Sequence, residues 1–162
     1  MAAMPGKHAY TFGDVLAVTG ATRSQLIHWT TTKLITARVR DVQGSGHHRV
    51  FSLRDLVDVA VAVALARYGI SVKRMGLIVR GLGRHWRPTT RAADTLLFIT
   101  GDPADPSAFW FGSRREFTAE LAARGLLTVF TGVLIDLGQI VAALEQATED
   151  HLTSRKASGR PA

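Results

Sequence analysis

The amino-acid sequence predicts an α+β protein, in which a mainly helical first part is followed by a small α/β module at the C-terminal end. In residues 8–84, capping residues and glycines divide the chain into short amphipathic helices. A basic segment with a glycine-rich tip lies between the second and third of these helices. Beyond residue 94 the pattern changes to short apolar runs with Asp-Pro turns, which indicates strands.

Two capping boxes define the first pair of helices. Thr11 has Asp14 three residues later, and Thr22 has Gln25 three residues later, so each threonine is predicted to begin a helix. Gly20 is predicted to end the first helix, because glycine adopts the left-handed conformation at little cost. A single residue separates that glycine from the second cap, which predicts a tight helix-turn-helix.

The second helix has two different faces. Leu26 and Trp29 share one face, which is predicted to pack inward. Ser24, His28 and Thr31 lie on the opposite face. The helix is therefore expected to contribute one face to the core and to present the other to a partner.

A basic segment follows the second helix. Strand-like residues 35–42 and 49–51 flank a Gly-Ser-Gly tip at residues 44–46 and predict a β-hairpin, or wing. A solvated basic loop is the alternative for any single arginine there, but a wing after a helix-turn-helix favours DNA binding. The basic residues of this segment are Lys33, Arg38, Arg40, His47, His48 and Arg49.

Two further helices are predicted to complete the first domain, which spans residues 8–84. Ser52, with Asp55 three residues later, caps the third helix, and Gly69 ends it. Ser71 begins the fourth helix. Residues 85–94 are polar and are predicted to be a linker.

Residues 95–152 are predicted to form the small α/β module. Residues 95–100 and 108–111 have the composition of strands, and residues 113–125 that of a helix. Residues 126–135 alternate between strand and turn signals.

Asp136, with Gln139 three residues later, is predicted to cap a last helix. Residues 153–162 are small and basic, and we expect a disordered tail there. The module also carries three consecutive aromatic residues, for which packing in a core or a dimer is the simpler interpretation and a ligand pocket the alternative. They are Phe109, Trp110 and Phe111.

Charge is divided unequally along the chain. Residues 1–91 hold 14 Lys and Arg against 4 Asp and Glu, whereas residues 92–162 hold 6 against 9. The first part is thus strongly cationic, as expected of a module that meets a polyanion. DNA, RNA and an anionic membrane surface all satisfy this condition, so charge indicates the sign of the partner and not its identity.

Several functional classes lack support in the sequence. The chain has no cysteine, which excludes disulfides, thiolate metal sites and thiol redox switches. The longest apolar run, residues 56–66, contains Asp58 and is too short to span a bilayer, so we expect a cytoplasmic protein that does not enter membranes. No catalytic motif is present, and we expect neither an enzyme, a metal site nor a cofactor.

The start of the second helix is the predicted contact with DNA. Arg23, Ser24 and Gln25 lie in its first turn, where backbone N–H groups and the helix dipole attract phosphate. Their side chains suit the major groove. For His28, one turn later, contact with a base edge or phosphate and packing against the wing are competing interpretations.

Over roughly residues 8–84, the order of a helix-turn-helix, a wing and two further helices resembles the DNA-binding domain of MerR-family regulators. The resemblance implies that Thr22, Arg23, Ser24 and His28 enter the major groove, and that Arg49 contacts the DNA backbone. The family usually has arginine at the position of Ile27 and tyrosine at those of His28 and His48, so a different base preference is expected. The matching segments are residues 10–15, 26–29, 33–35, 48–52 and 68–71.

The resemblance also implies partners. Family members are homodimers that bind inverted repeats in double-stranded DNA, and many twist a promoter so that RNA polymerase can use it. In the family a long dimer helix follows the fourth helix, but here Gly81, Gly83 and Pro88 interrupt that region. We therefore expect dimerisation through the apolar stripe of the last helix, which consists of Leu137, Ile140, Val141 and Leu144.

The leading hypothesis is a sequence-specific, nucleoid-associated transcription regulator of the MerR-like type, whose effector the sequence does not define. One alternative is an architectural DNA-binding protein, such as an excisionase-like recombination accessory or a nucleoid factor, for which bending DNA is the main task. Another is a protein-interaction adaptor whose basic half is a platform.

Overall fold

The computed structural model describes residues 9–39, 49–85, 94–100, 109–124 and 132–158. Within these ranges the chain is mixed helix and strand, in agreement with the predicted class. The elements are β1 (Tyr10–Thr11), α1 (Phe12–Thr19), α2 (Arg23–Thr31), β2 (Val50–Phe51), α3 (Leu53–Arg67), α4 (Val72–His85), β3 (Thr95–Thr100), β4 (Phe109–Ser113), α5 (Arg114–Arg124), β5 (Gly132–Asp136) and α6 (Leu137–Ala157).

The chain divides into two compact units. One comprises Met1–Val63 together with Ala143–Ala162, and the other comprises Ala64–Ala142. The first unit is therefore discontinuous in sequence, because the second half of α6 belongs to it.

Both predicted capping boxes are present in the first unit. The Thr11 hydroxyl accepts the Asp14 N–H at 3.3 Å, and the Thr11 N–H donates to the Asp14 carboxylate at 2.8 Å. Thr22 and Gln25 exchange the equivalent bonds at 3.2 and 2.9 Å. Gly20 ends α1 in the left-handed conformation, with φ 70°. Helix α1 thus begins and ends, and α2 begins, where the sequence predicts.

The segment after α2 differs from the predicted hairpin. Residues 35–39 do not form a strand, and Val50–Phe51 pairs instead with β1, so that Tyr10 lies opposite Phe51. Ile35 and Ala37 are buried, and the Arg38 N–H donates to Asp55 in α3 at 3.0 Å. The Arg38 N–H is therefore bonded to a side chain and not to a partner strand. Residues 40–48, with the predicted tip, lie outside the described residues.

Helices α3 and α4 follow the predicted caps. Ser52 and Asp55 form a capping box, with the Ser52 N–H donating to the Asp55 carboxylate at 2.8 Å and the Asp55 N–H donating to Ser52 Oγ at 3.2 Å. Gly69 has φ 71° after the end of α3. Helix α4 continues to His85, so Gly81 and Gly83 do not interrupt it.

The second unit contains a three-stranded antiparallel sheet in the order β4-β3-β5. Leu97 on the central strand lies opposite Phe111 on one side and Ile135 on the other. One face of the sheet carries the rings of Phe109 and Phe111. Helix α4 approaches this face closely at Gly81, where a Cβ atom would lie 2.9 Å from the Phe109 ring. Glycine at this position therefore lets aromatic rings pack against the helix.

The opposite face of the sheet carries the remaining aromatic side chains. The Phe117 ring of α5 lies 5.7 Å from the Phe98 ring and 6.1 Å from the Trp110 ring, measured between centroids. On the face toward α4, Phe109 and Phe111 stack edge to face, with 5.5 Å between ring centroids. Each of the three consecutive aromatics of β4 thus contacts another aromatic ring of the same unit.

The last helix begins after Asp136, whose carboxylate accepts the Gln139 N–H at 3.2 Å as the capping pattern predicts. Helix α6 extends to Ala157, so the expectation of disorder from residue 153 is wrong for residues 153–157. In the part of the chain that the structure describes, no helix is both long and apolar enough to cross a bilayer.

The apolar stripe of α6 is largely buried within the single chain. Packing inside the protomer therefore accounts for these side chains, and their role in a dimer stays a prediction. Ile140 is half-buried, while Leu137, Val141 and Leu144 are buried.

Candidate nucleic-acid interface

Helix α2 presents a polar face to solvent. Leu26 and Trp29 are buried, which fixes the rotation of the helix about its axis. The opposite face is exposed, as its sequence predicts, and Ile27 beside it is 44% exposed. A helix held by one apolar face and open on the other has the form that enters a major groove. The exposed residues of this face are Thr22, Arg23, Ser24, His28 and Thr31, with Gln25 half-buried.

The N-terminal end of α2 has a positioned cation. The guanidinium carbon of Arg23 lies 5.7 Å from the centroid of the Phe12 ring, within cation–π range. Thr22 Oγ1 lies 3.2 Å from Ser24 Oγ. The positive end of the helix dipole lies at the same place. An arginine, two hydroxyls and the helix end thus lie together at the start of α2.

Arg49 lies against the C-terminal part of α2. Its Nη1 donates to Thr30 Oγ1 at 3.0 Å, and the Thr30 hydroxyl lies 2.8 Å from the carbonyl oxygen of Leu26, to which it donates. Thr30 is buried, so it is a fixed support for the arginine. The structure therefore brings Arg49 beside the helix that carries Arg23.

Arg38 has an intramolecular role. Its guanidinium forms an ion pair with Asp55 and another with Asp58, the latter at 2.9 Å. Arg54 also contacts Asp58, at 3.2 Å between Nε and Oδ1. Both carboxylates are buried, at 0% and 2% exposure for the two residues, and a buried charge is costly unless it is paired. The predicted DNA contact of Arg38 would compete with this pairing.

The pKa values in this cluster reflect the same balance. Burial raises the pKa of the Asp58 carboxyl above its ordinary value, although Arg54 and Arg38 oppose the shift. Burial lowers the pKa of Arg38, but Asp58 and Asp55 outweigh it and leave that pKa raised. Arg38 therefore keeps its positive charge beside the two aspartates.

The other predicted contacts are only partly described. Lys33 is exposed just after α2 and has a left-handed backbone, with φ 58°. That conformation is uncommon for a residue other than glycine. Arg40, His47 and His48 lie outside the described residues.

Several structurally important residues were not apparent from sequence reasoning. Thr30, which supports Arg49, and Phe12, which stacks under Arg23, carry no local signal of these roles. Asp58 has one, because it is a charge within an apolar run, which indicates a buried ion pair. Asp14 was predicted only as a cap, yet its carboxylate also binds His151 and Arg155 of α6.

Among the described residues, no three histidine, aspartate or glutamate side chains are placed together so as to hold a metal ion.

No protein-family model matches the chain. The chain is similar to proteins named as uncharacterized HTH-type transcriptional regulators, from Mycobacterium bovis and from two strains of Mycobacterium tuberculosis. Each is 26% identical over 155 residues, which cover 86% of this chain. The chain spans 64% of the length of these curated relatives. Their name refers to a helix-turn-helix, the arrangement that α1 and α2 form here.

Proposed function

We propose that the chain is a sequence-specific DNA-binding transcription regulator of the MerR type, which binds an inverted repeat as a homodimer. The observation that carries the proposal is the exposed polar face of α2 on a helix whose other face is anchored by Leu26 and Trp29. Ser24 and His28 on this face are suited to base edges.

Charge supports the same proposal. The first 91 residues hold ten more basic than acidic residues, and phosphate contacts dominate the affinity of DNA-binding proteins. Arg23 and Arg49 are the described arginines that we assign to phosphates. Contacts of that kind set the register of a protein on the duplex, while Ser24 and His28 would select the sequence.

The MerR type rests on the resemblance of residues 8–84 and on the order of elements, with two further helices after the helix-turn-helix. The relatives named as HTH-type transcriptional regulators support the broader assignment to regulators of transcription. The homodimer, RNA polymerase as a further partner and a place on the nucleoid in the cytoplasm belong to the MerR part of the proposal.

The test is selection of bound duplexes from a random pool by the purified full-length protein, followed by sequencing. We expect an inverted repeat. A Ser24→Ala, His28→Ala double variant should select a different sequence, whereas a variant of the exposed Arg115 on α5 should select the wild-type one. Direct repeats would favour the architectural reading, and the absence of any motif would overturn the regulator role.

A further inference from the structure

We propose that His151 and Arg155 of α6 are positioning residues of the helix-turn-helix, which hold α1 through the carboxylate of Asp14. The C-terminal part of α6 would then help to hold the helix-turn-helix in the position that binds DNA. The consequence for DNA rests on the proposed function, whereas the attachment itself does not.

The geometry divides the Asp14 carboxylate between two tasks. Its Oδ2 accepts the N–H and the hydroxyl of Thr11, each at 2.8 Å, and so completes the capping box of α1. Its Oδ1 lies 2.8 Å from His151 Nε2 and 3.0 Å from Arg155 Nη1. His151 and Arg155 are four residues apart and therefore share one face of α6.

This arrangement compensates a buried charge. Asp14 is 6% exposed, and a carboxylate so placed needs partners. Burial raises the pKa of the Asp14 carboxyl, but hydrogen bonds from His151 and Thr11 and the positive charge of Arg155 outweigh it and hold the pKa below 3.8. Tyr10, beside it, has a raised pKa because of burial and the charge of Asp14.

The contact between Asp14 and α6 lies close to α2, the helix that we propose enters the major groove. Its partners are 137 and 141 residues from Asp14 in sequence, yet all belong to the same compact unit. Only Gly20, the buried Ala21 and Thr22 separate the end of α1 from the start of α2. Movement of α1 would therefore change the position of Arg23, which contacts Phe12 at the start of α1.

The first experiment measures the attachment without DNA. Hydrogen exchange of the α1 backbone is compared in the full-length wild type, His151→Ala, Arg155→Ala and the double variant. Lys156→Ala is the matched control, because it removes a positive charge from an exposed neighbouring position. We expect exchange in α1 to become about tenfold faster in the double variant, the size expected for a lost charged hydrogen bond. Lys156→Ala should leave it unchanged.

The second experiment measures the affinity of the same variants for the selected duplex over a range of salt concentrations. We expect the double variant to bind several-fold more weakly with an unchanged salt dependence, because it loses orientation and not a phosphate contact. Arg155→Lys should recover most of the affinity, since it keeps the charge beside Asp14. If the double variant does not fold, Arg155→Ala alone supplies the comparison.

Unchanged exchange of α1 in the double variant, or in Arg155→Ala if only that folds, would overturn the inference. So would a salt slope that falls by about one unit in Arg155→Ala, because this would show that Arg155 itself binds a phosphate. If the wild type binds no duplex, the proposed function fails, and the exchange of α1 alone decides whether His151 and Arg155 hold that helix.

Discussion

The starts of α1 and α3 are built alike but are anchored differently. Asp14 and Asp55 each occupy the third position of a capping box, and each is buried with arginine as a partner. Asp55 binds Arg38, 17 residues away in the same part of the chain, whereas Asp14 binds residues of the last helix. The same capping motif therefore makes a contact with a nearby segment at α3 and a contact with a distant helix at α1.

The difference concerns what each carboxylate holds in place. Asp55 accepts the N–H groups of Arg38, within the basic segment, and of Ser52, just after it. Asp14 instead accepts bonds from α6, so it connects α1 to a helix that is distant in sequence. We expect loss of Asp55 to damage the fold more broadly than loss of Asp14.

The largest effect is expected for Asp55→Ala. This change removes a fully buried carboxylate and leaves Arg38, Asp58 and two backbone N–H groups with altered partners. The free energy of unfolding should fall by about 3 kcal/mol, as for other broken buried ion pairs. Urea denaturation measures it, with Glu149→Ala on the exposed side of α6 as the control. Equal stability of the two variants would contradict the structural role of Asp55.

A smaller effect is expected for Asp14→Asn. Loss of hydrogen bonds to a charged group should lower the free energy of unfolding by about 2 kcal/mol at neutral pH. Because the folded-state pKa of Asp14 lies below its ordinary value of 3.8, this contribution is present above that pH and is lost as pH falls through the folded pKa. Urea denaturation at neutral and acid pH should show the two proteins converging below about pH 4. A constant difference would argue against a charged Asp14.

The smallest effect on the fold is expected for Arg49→Ala. Arg49 is bonded to the Thr30 hydroxyl, so its loss should change stability by less than about 1.5 kcal/mol. It should weaken binding to all duplexes alike and lower the salt slope by about one unit. Binding titrations at several salt concentrations test this, with Arg115→Ala as the control. A change in the selected sequence would instead place Arg49 at a base edge.

The sequence predicts the helix starts correctly where the interactions that define them are local. The starts of α1, α2, α3 and α6 were predicted from a side chain and a backbone group three residues apart, and the structure contains these bonds. For residues 35–39 the alternating apolar pattern predicts a strand, but the Arg38 N–H donates to the Asp55 carboxylate of α3 and not to a neighbouring strand. Helix α6 also extends further than the sequence predicts, since residues 153–157 have little apolar character to mark a helix.

The candidate site shows the same division. The exposed face of α2 follows from helical periodicity once Leu26 and Trp29 are assigned to the core. The pairing of Arg38 with two aspartates does not follow from the sequence. A basic residue beside a glycine-rich segment is equally compatible with a phosphate and with a carboxylate. Only its distance of 2.9 Å from Asp58, together with the burial of that aspartate, identifies the partner.

The starts of most helices and the polar face of α2 follow from the sequence, because capping and helical periodicity involve neighbours a few residues apart. The distribution of charge follows directly from composition. Which groups neutralise Asp14, Asp55 and Asp58 depends on tertiary contacts, and the contacts of Asp14 attach α6 to the helix-turn-helix. A buried carboxylate requires a cation, but any of the 20 lysines and arginines could in principle supply it. The three-dimensional path of the chain selects which of them does.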